Sequence, residues 1–188
     1  MLRILGPKGH LIVRSATAAR VKAILPALKR RFGKVRVINL NPLSKRDKIV
    51  HWAKWGVSFE PSIHYSEAVD RDDWLNKRPG LLPLTTDCSG FATACYKWAG
   101  APDPNGLDYK TLGYTGTMLT HMGQVSRPKP GDLVVYGPGT GHHVGIVIEG
   151  GEDPLTVSHG QERGPIYIRV SEERKYQPPG VRYLRSLL

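Results

Sequence analysis

Cysteine is almost absent from these 188 residues: there are two, Cys88 and Cys95, seven apart. On one helical face their backbones are too distant for a disulfide, so no disulfide framework is expected and the redox compartment stays open. No segment approaches the roughly 20 consecutive apolar residues of a membrane span. The start, MLRILGPKGHLIVRSATAAR, has Gly6 and Pro7 where an export signal needs an unbroken apolar stretch, so no such signal is expected. No Cys-x-x-Cys or His-x-x-x-His pair is present, which argues against zinc, and no cofactor is expected. GPGTG at Gly137–Gly141 lacks the lysine that follows a phosphate loop and reads as a hairpin turn. There is no internal repeat and no low-complexity tract.

Acid is scarce in one place only. Residues 1–48 hold 13 of the 27 Lys and Arg but one of the 16 Asp and Glu, a net charge of +12, while the other 140 residues carry −1. Such asymmetry argues for a basic appendage on a near-neutral body. The charge suits a solvated surface, or binding to anionic cell-wall polymers or acidic neighbours. Nucleic acid is disfavoured, since no binding motif accompanies the charge and few aromatics interleave with it.

The residue patterns divide the chain into a basic extension, 1–42, and a main domain, 43–188. LRILG and HLIVRS read as two strands around a Pro7–Gly9 turn. Ser15–Phe32 has a helical stripe of Ala19, Val21, Ile24, Leu25, Leu28 and Phe32, with Pro26 expected to kink it or end it early. KVRVINL after Gly33 reads as a strand, completing a ββαβ unit. Beyond Asn41–Pro42, Ser44 with Asp47 suggests an N-cap for a helix of about three turns that Gly56 should end. Residues 58–84 read as a long irregular stretch. A helix follows in which Cys88, Phe91, Ala92, Cys95 and Ala99 share a face, and a short one is expected near Thr115–Met122. DLVVY, HHVGIVIE, LTVS, IYIRV and VRYL then read as strands. Helices first and consecutive strands afterwards predict an α+β fold with an antiparallel sheet.

Within TTDCSGFATACYKWAG, Cys88 stands at a helix start. A free thiol has a pKa of about 8.5, and a helix N-terminus lowers that by roughly one unit. A nucleophilic Cys88 therefore needs an imidazole beside it. In the strand HHVGIVIE, alternation puts His143 with Gly145 and Val147, while His142 points the other way. In LTVSHG, Leu155, Val157 and His159 share a face, and neighbouring strands are expected to set His159 against His143 as an orienting third member. Asp87 suits a helix cap, Asp132 suits a turn-fixing role, and Cys95 suits a core position.

DCSGF at Asp87–Phe91, PGDLV at Pro130–Val134, HVGIVI at His143–Ile148 and SHG at Ser158–Gly160, in that order, resemble the NlpC-type family of papain-like cysteine peptidases. The likeness covers roughly residues 44–188. It implies a papain-like core, Cys88 as nucleophile, His143 as general base and His159 as its orienting partner. It also implies an upstream tyrosine at the oxyanion site, for which Tyr65 is the candidate, and Asp87 and Ser89 join it as candidate oxyanion or substrate contacts. The implied partner is bacterial peptidoglycan, whose peptide stems the family cuts. The segment before DCSGF and the connection EGGEDPLTV are both longer than is usual in the family. IHYSE and APDPNGLDYKTLGYTGT are most similar to peptidase modules of actinobacterial phages, which implies a lysin made in the host cytoplasm or a virion-associated hydrolase. The alternatives are an amidase or injected effector of the same fold, or a non-catalytic wall-binding phage component.

The charge asymmetry makes one prediction. Removing residues 1–40 should weaken binding to purified cell walls, and binding of the full chain should fall steeply between about 0.05 and 0.5 M salt. Salt-independent retention in a wall pull-down would remove charge as the cause.

Overall fold

The computed structural model describes residues 2–7, 11–16, 18–39, 43–161 and 164–186. The chain divides into two compact units, residues 1–44 and 45–188. In the first, strand β1 (Leu2–Leu5) lies between β2 (Leu11–Ala16) and β3 (Arg36–Asn39), antiparallel to both. Of the Pro7–Gly9 turn, residues 8 and 9 lie outside the described set, as do Asn41 and Pro42. Helix α1 (Ala18–Phe32) runs through Pro26 instead of ending there. Its apolar stripe explains the continuity: Val21 is buried against Ile4, with Ile24 and Leu28 packed beside them. That burial outweighs the one helical hydrogen bond that proline removes.

The second unit is built on a six-stranded antiparallel sheet in the order β10-β9-β8-β7-β11-β6. The strands are β6 (Gly123–Val125), β7 (Leu133–Tyr136), β8 (His143–Glu149), β9 (Leu155–Ser158), β10 (Ile166–Arg169) and β11 (Val181–Arg185). One face carries Leu133, Val135, Val144, Ile146, Val157 and Leu184 against helices α2 (Lys45–Ser58) and α3 (Cys88–Trp98). The other carries Val134, Tyr136 and Val147, covered by Val170 of the four-residue helix α5 (Val170–Glu173). The architecture is thus α+β, as the order of helices and strands implies. Strict alternation along β7 and β8 sorts these residues between two apolar faces, which is why both strands are buried almost throughout.

The long irregular stretch contains a device too short to show as periodicity. Strand β4 (Ile63–Tyr65) pairs in parallel with β5 (Leu84–Thr86), so Tyr65 lies opposite Thr86. All four tryptophans gather nearby: Trp98 meets Trp52, Trp55 and Trp74 at ring separations of 5.1, 5.6 and 6.1 Å. After α3, the loop rich in Gly, Pro and Tyr is organised by buried Asp103, which accepts from the N–H groups of Asn105, Leu107 and Tyr109. It leads into helix α4 (Thr115–His121), close to the short helix expected there.

Asp132 is fully buried and fixes its turn by accepting from the Lys129 N–H at 2.8 Å. It also accepts from Arg185 of β11 and pairs with Arg46 of α2, tying the first turn of that helix to the sheet. Arg46 and Arg185 carry the charge that compensates a carboxylate removed from water.

Gly56 lies inside α2 and does not end it. A Cβ there would stand 2.4 Å from Cζ of Phe91, so glycine is what lets α2 approach α3. Gly56→Ala should therefore destabilise the protein by roughly 1–3 kcal/mol, read as a lower urea midpoint with an unchanged slope. An unaltered midpoint would mean the two helices separate freely at this point.

Candidate functional site

The chain leaves β5 and turns into α3 through Asp87, whose Oδ1 accepts from the Gly90 N–H at 2.6 Å and from the Ser89 hydroxyl at 2.8 Å. This is an N-cap, and Arg71 pairs with the second oxygen. A Cβ at Gly90 would lie 2.1 Å from Oγ1 of Thr86, so only glycine lets this cap close. Ser89 is buried and its hydroxyl belongs to the cap.

Cys88 occupies the first turn and is 8% exposed. Burial pushes its thiol up to about 12, and the charge of Asp87 acts in the same direction. The backbone amides of Val144 and Ser89 act in the opposite direction. Cys95, two turns further on, is fully buried in the core.

His143 opens β8 and is 5% exposed. Its Nε2 is hydrogen-bonded to Oγ of Ser158 at 2.7 Å, and Oε1 of Glu173 lies 3.6 Å from the same nitrogen. Burial lowers its pKa to about 4, the charges of His142 and His159 act alike, and Asp87 opposes them. The adjacent His142 is exposed, its Nδ1 hydrogen-bonded to Oε1 of Gln177 at 3.0 Å.

The expected contact between His159 and His143 is made by Ser158 instead. The register sets Gly145 opposite Ser158, so Ser158 shares the face of His143 and His159 turns to the other. His159 is buried between the rings of Tyr65 and Phe91, at 5.3 and 5.6 Å. Its Nε2 donates to the Thr86 carbonyl at 3.1 Å. Burial holds its pKa near 4 against that hydrogen bond and the charge of Asp87.

Tyr65 reaches this place because β4 lies beside β5. Its hydroxyl donates to Oε1 of Glu67 at 2.8 Å, and burial, with Cys88 and Glu67 nearby, holds the phenol above its ordinary range. A cavity of about 570 Å³ opens beside Tyr65, Glu67, His143, Ser158 and Glu173. Cys88 is not among its lining residues.

The charge of Asp87 acts on Cys88, His143 and His159 together, so these groups share one neighbourhood. Within it, Nε2 of His143 and Nε2 of His159 are hydrogen-bonded to Ser158 and Thr86. Ser158 was legible in principle, since alternation along LTVS pairs it with Thr156 on the face opposite Val157. Glu173 and Glu67 carry no local signal. Among the described residues no group of three or more His, Cys, Asp or Glu is placed to hold a metal ion, and no helix is long and apolar enough to cross a membrane.

No curated protein sequence matches the chain significantly. Among solved structures it is similar to RipD from Mycobacterium tuberculosis, described as a non-catalytic NlpC/p60 domain protein adapted to peptidoglycan binding, with 19% identity and a TM-score of 0.48 over 78% of this chain and 99% of that one. A mutant of RipA, the resuscitation-promoting-factor-interacting protein, aligns with 17% identity and a TM-score of 0.47, over 74% of this chain and 60% of that one. A hypothetical invasion protein of Mycobacterium tuberculosis gives 16% identity and 0.47, over 81% and 67%. The model of the NlpC/P60 family matches residues 76–185, more than half of the chain and the whole span from Asp87 through Glu173. The chain therefore belongs to the NlpC/P60 family.

Proposed function

We propose that the protein is a peptidoglycan hydrolase that cuts stem-peptide amide bonds, with Cys88 as nucleophile and His143 as general base. One observation carries the reading: Cys88 opens α3 and shares a buried cluster with Val144, the residue after His143, whose backbone acts on the thiol. With Nε2 of His143 engaged by Ser158, Nδ1 is the nitrogen left for the thiol proton. The thiolate attacks the amide carbon, and the backbone N–H of Cys88 with the Tyr65 hydroxyl holds the oxyanion. His143 returns the proton to the departing amine and leaves an S-acyl enzyme. It then takes a proton from water, which attacks the acyl carbon and releases the carboxylate and the free thiol. Tyr65 must turn from Glu67 to take part. Asp87 and Ser89 act through the helix start they form, and His159 through the Thr86 carbonyl it holds.

The NlpC-type resemblance directs this chemistry to the peptide stems of bacterial walls. IHYSE and the loop after α3 further suggest a lysin or virion-associated hydrolase of an actinobacterial phage, held in the host cytoplasm before release or carried on the particle. A second reading, a non-catalytic wall-binding protein of the same fold, is favoured by the resting electrostatics. A thiol at about 12 and an imidazole at about 4 are both uncharged at neutral pH, and the thiol is covered.

Digestion of purified walls followed by mass spectrometry separates the readings. A stem-peptide hydrolase releases fragments with new amino termini, and Cys88→Ala lowers that release by at least about a thousandfold. An amidase would leave bare lactyl-sugar chains. Wall pull-down without digestion, and with Cys88 untouched by a thiol probe, would establish the binding reading.

The same histidines set an acid limit on the fold. In the unfolded chain they titrate near 6.5, in the folded one near 4, so between these values the unfolded state binds more protons. The stability conferred by His143 and His159 is complete above about pH 6.5 and is lost as pH falls toward 4. Urea midpoints should drop between pH 7 and pH 5, and a flat profile would contradict the burial argument.

A further inference from the structure

Nε2 of His143 meets groups from two elements: the Ser158 hydroxyl of β9 and the Glu173 carboxylate of α5, 30 residues along the chain. Glu173 is 7% exposed. Among its partners, Gln177 donates to Oε1 at 2.7 Å, and Oε1 of Gln177 is hydrogen-bonded to Nδ1 of His142. A run of polar contacts therefore passes from Ser158 through His143, Glu173 and Gln177 to His142. Its anchor is apolar. Val170, the first residue of α5, is seated with Val134, Tyr136 and Val147, and Glu173 follows three residues on, nearly one helical turn, on the same side. A carboxylate removed from water favours a positive charge beside it, and α5 holds this one in place next to the His143 ring.

We propose that Glu173, together with Ser158, is the positioning residue of His143: the hydroxyl fixes the ring with Nδ1 turned toward the thiol, and the carboxylate stabilises the imidazolium formed when that proton arrives. A serine in this place can orient the ring but carries no charge, and Glu173 supplies what the serine lacks. The titratable groups close enough to His143 to act on it are Glu173 from α5, Asp87 from the cap of α3, His142 beside it, His159 after β9 and Tyr136 of β7. Asp87 opposes the two neighbouring imidazoles, which disfavour a further positive charge, and Glu173 enters through its position 3.6 Å from Nε2. This inference rests on the reading of His143 as the base, but it concerns proton transfer alone and is tested without hydrolysis.

Alkylation of Cys88 by iodoacetamide, followed by mass spectrometry between pH 5 and 10, measures that transfer. Glu173→Gln keeps the shape and removes the charge. It should slow labelling at pH 7 by about tenfold and leave the rate at pH 10 unchanged, because hydroxide there replaces His143. Glu173→Asp should recover part of the pH 7 rate. Ser158→Ala should erase the Nε2–H signal of His143 from long-range proton–nitrogen spectra at pH 7. Equal pH 7 rates in the wild type and Glu173→Gln overturn the proposal. A uniform loss at both pH values, or a wild type that is not labelled at pH 7, overturns it as well. The expected contrast without any wall digestion leaves it standing and removes only the hydrolase reading.

Discussion

The carboxylate of Asp87 is the point on which the site turns. It closes the first turn of α3 through the Gly90 N–H and the Ser89 hydroxyl, and Arg71 ties it to the segment that carries Tyr65. Its charge acts in opposite senses on its neighbours. It raises the pKa of the Cys88 thiol and favours protonation of both imidazoles. A thiolate is thus disfavoured and an imidazolium assisted by one group. Burial is the larger influence on all three, however, and it suppresses charge everywhere. The resting site is a set of neutral groups around one paired carboxylate.

That burial follows from how tightly α3 is enclosed. From Cys88 to Tyr96 every residue is buried, so the helix has no solvent face. Enclosure on all sides needs small residues at the contacts, and Gly56 and Gly90 provide them where a Cβ would strike Phe91 and Thr86. It also needs both helices fixed to the sheet: the Arg46–Asp132–Arg185 cluster holds α2, and the Tyr96 hydroxyl, donating to the Gly131 carbonyl, holds α3. The thiol inherits a dry, rigid setting from these packing choices.

Much of this was legible in the residues because the features are local. DCSG reads as a capped helix start, PGDLV as a turn into a strand, and HHVGIVIE as alternation; each is a short-range pattern with a short-range cause. What was not legible depends on pairing between distant segments. Whether Ser158 or His159 meets His143 is decided by a one-residue register between β8 and β9, and the bulge near Glu149 shifts that register in a way no alternation pattern encodes. Tyr65 gains its place from a three-residue parallel pairing, too short for periodicity to reveal. Pro26 and Gly56 read locally as helix stops, yet tertiary burial carries α1 and α2 through both. Glu173 has no pattern of its own, and only Val170 and the face it covers bring it to the ring.

The placement of His143 at the first residue of β8 has a geometric reason. By alternation its side chain belongs to the face of Tyr136 and Val147, whereas Cys88 packs on the opposite face with Val144. A histidine in the middle of the strand would be separated from the thiol by the sheet itself. At the strand's end the sheet stops, and a ring held by Ser158 and Glu173 on one face can direct its other nitrogen around the edge toward the other. Cys88 and His143 therefore belong to opposite faces of one sheet, and the proposed proton transfer between them has to pass around its border. Ser158 and Glu173 sit on the face of His143, with α5, and the capping groups sit on the face of Cys88, with α3. A change on either face should reach the other only through the imidazole between them.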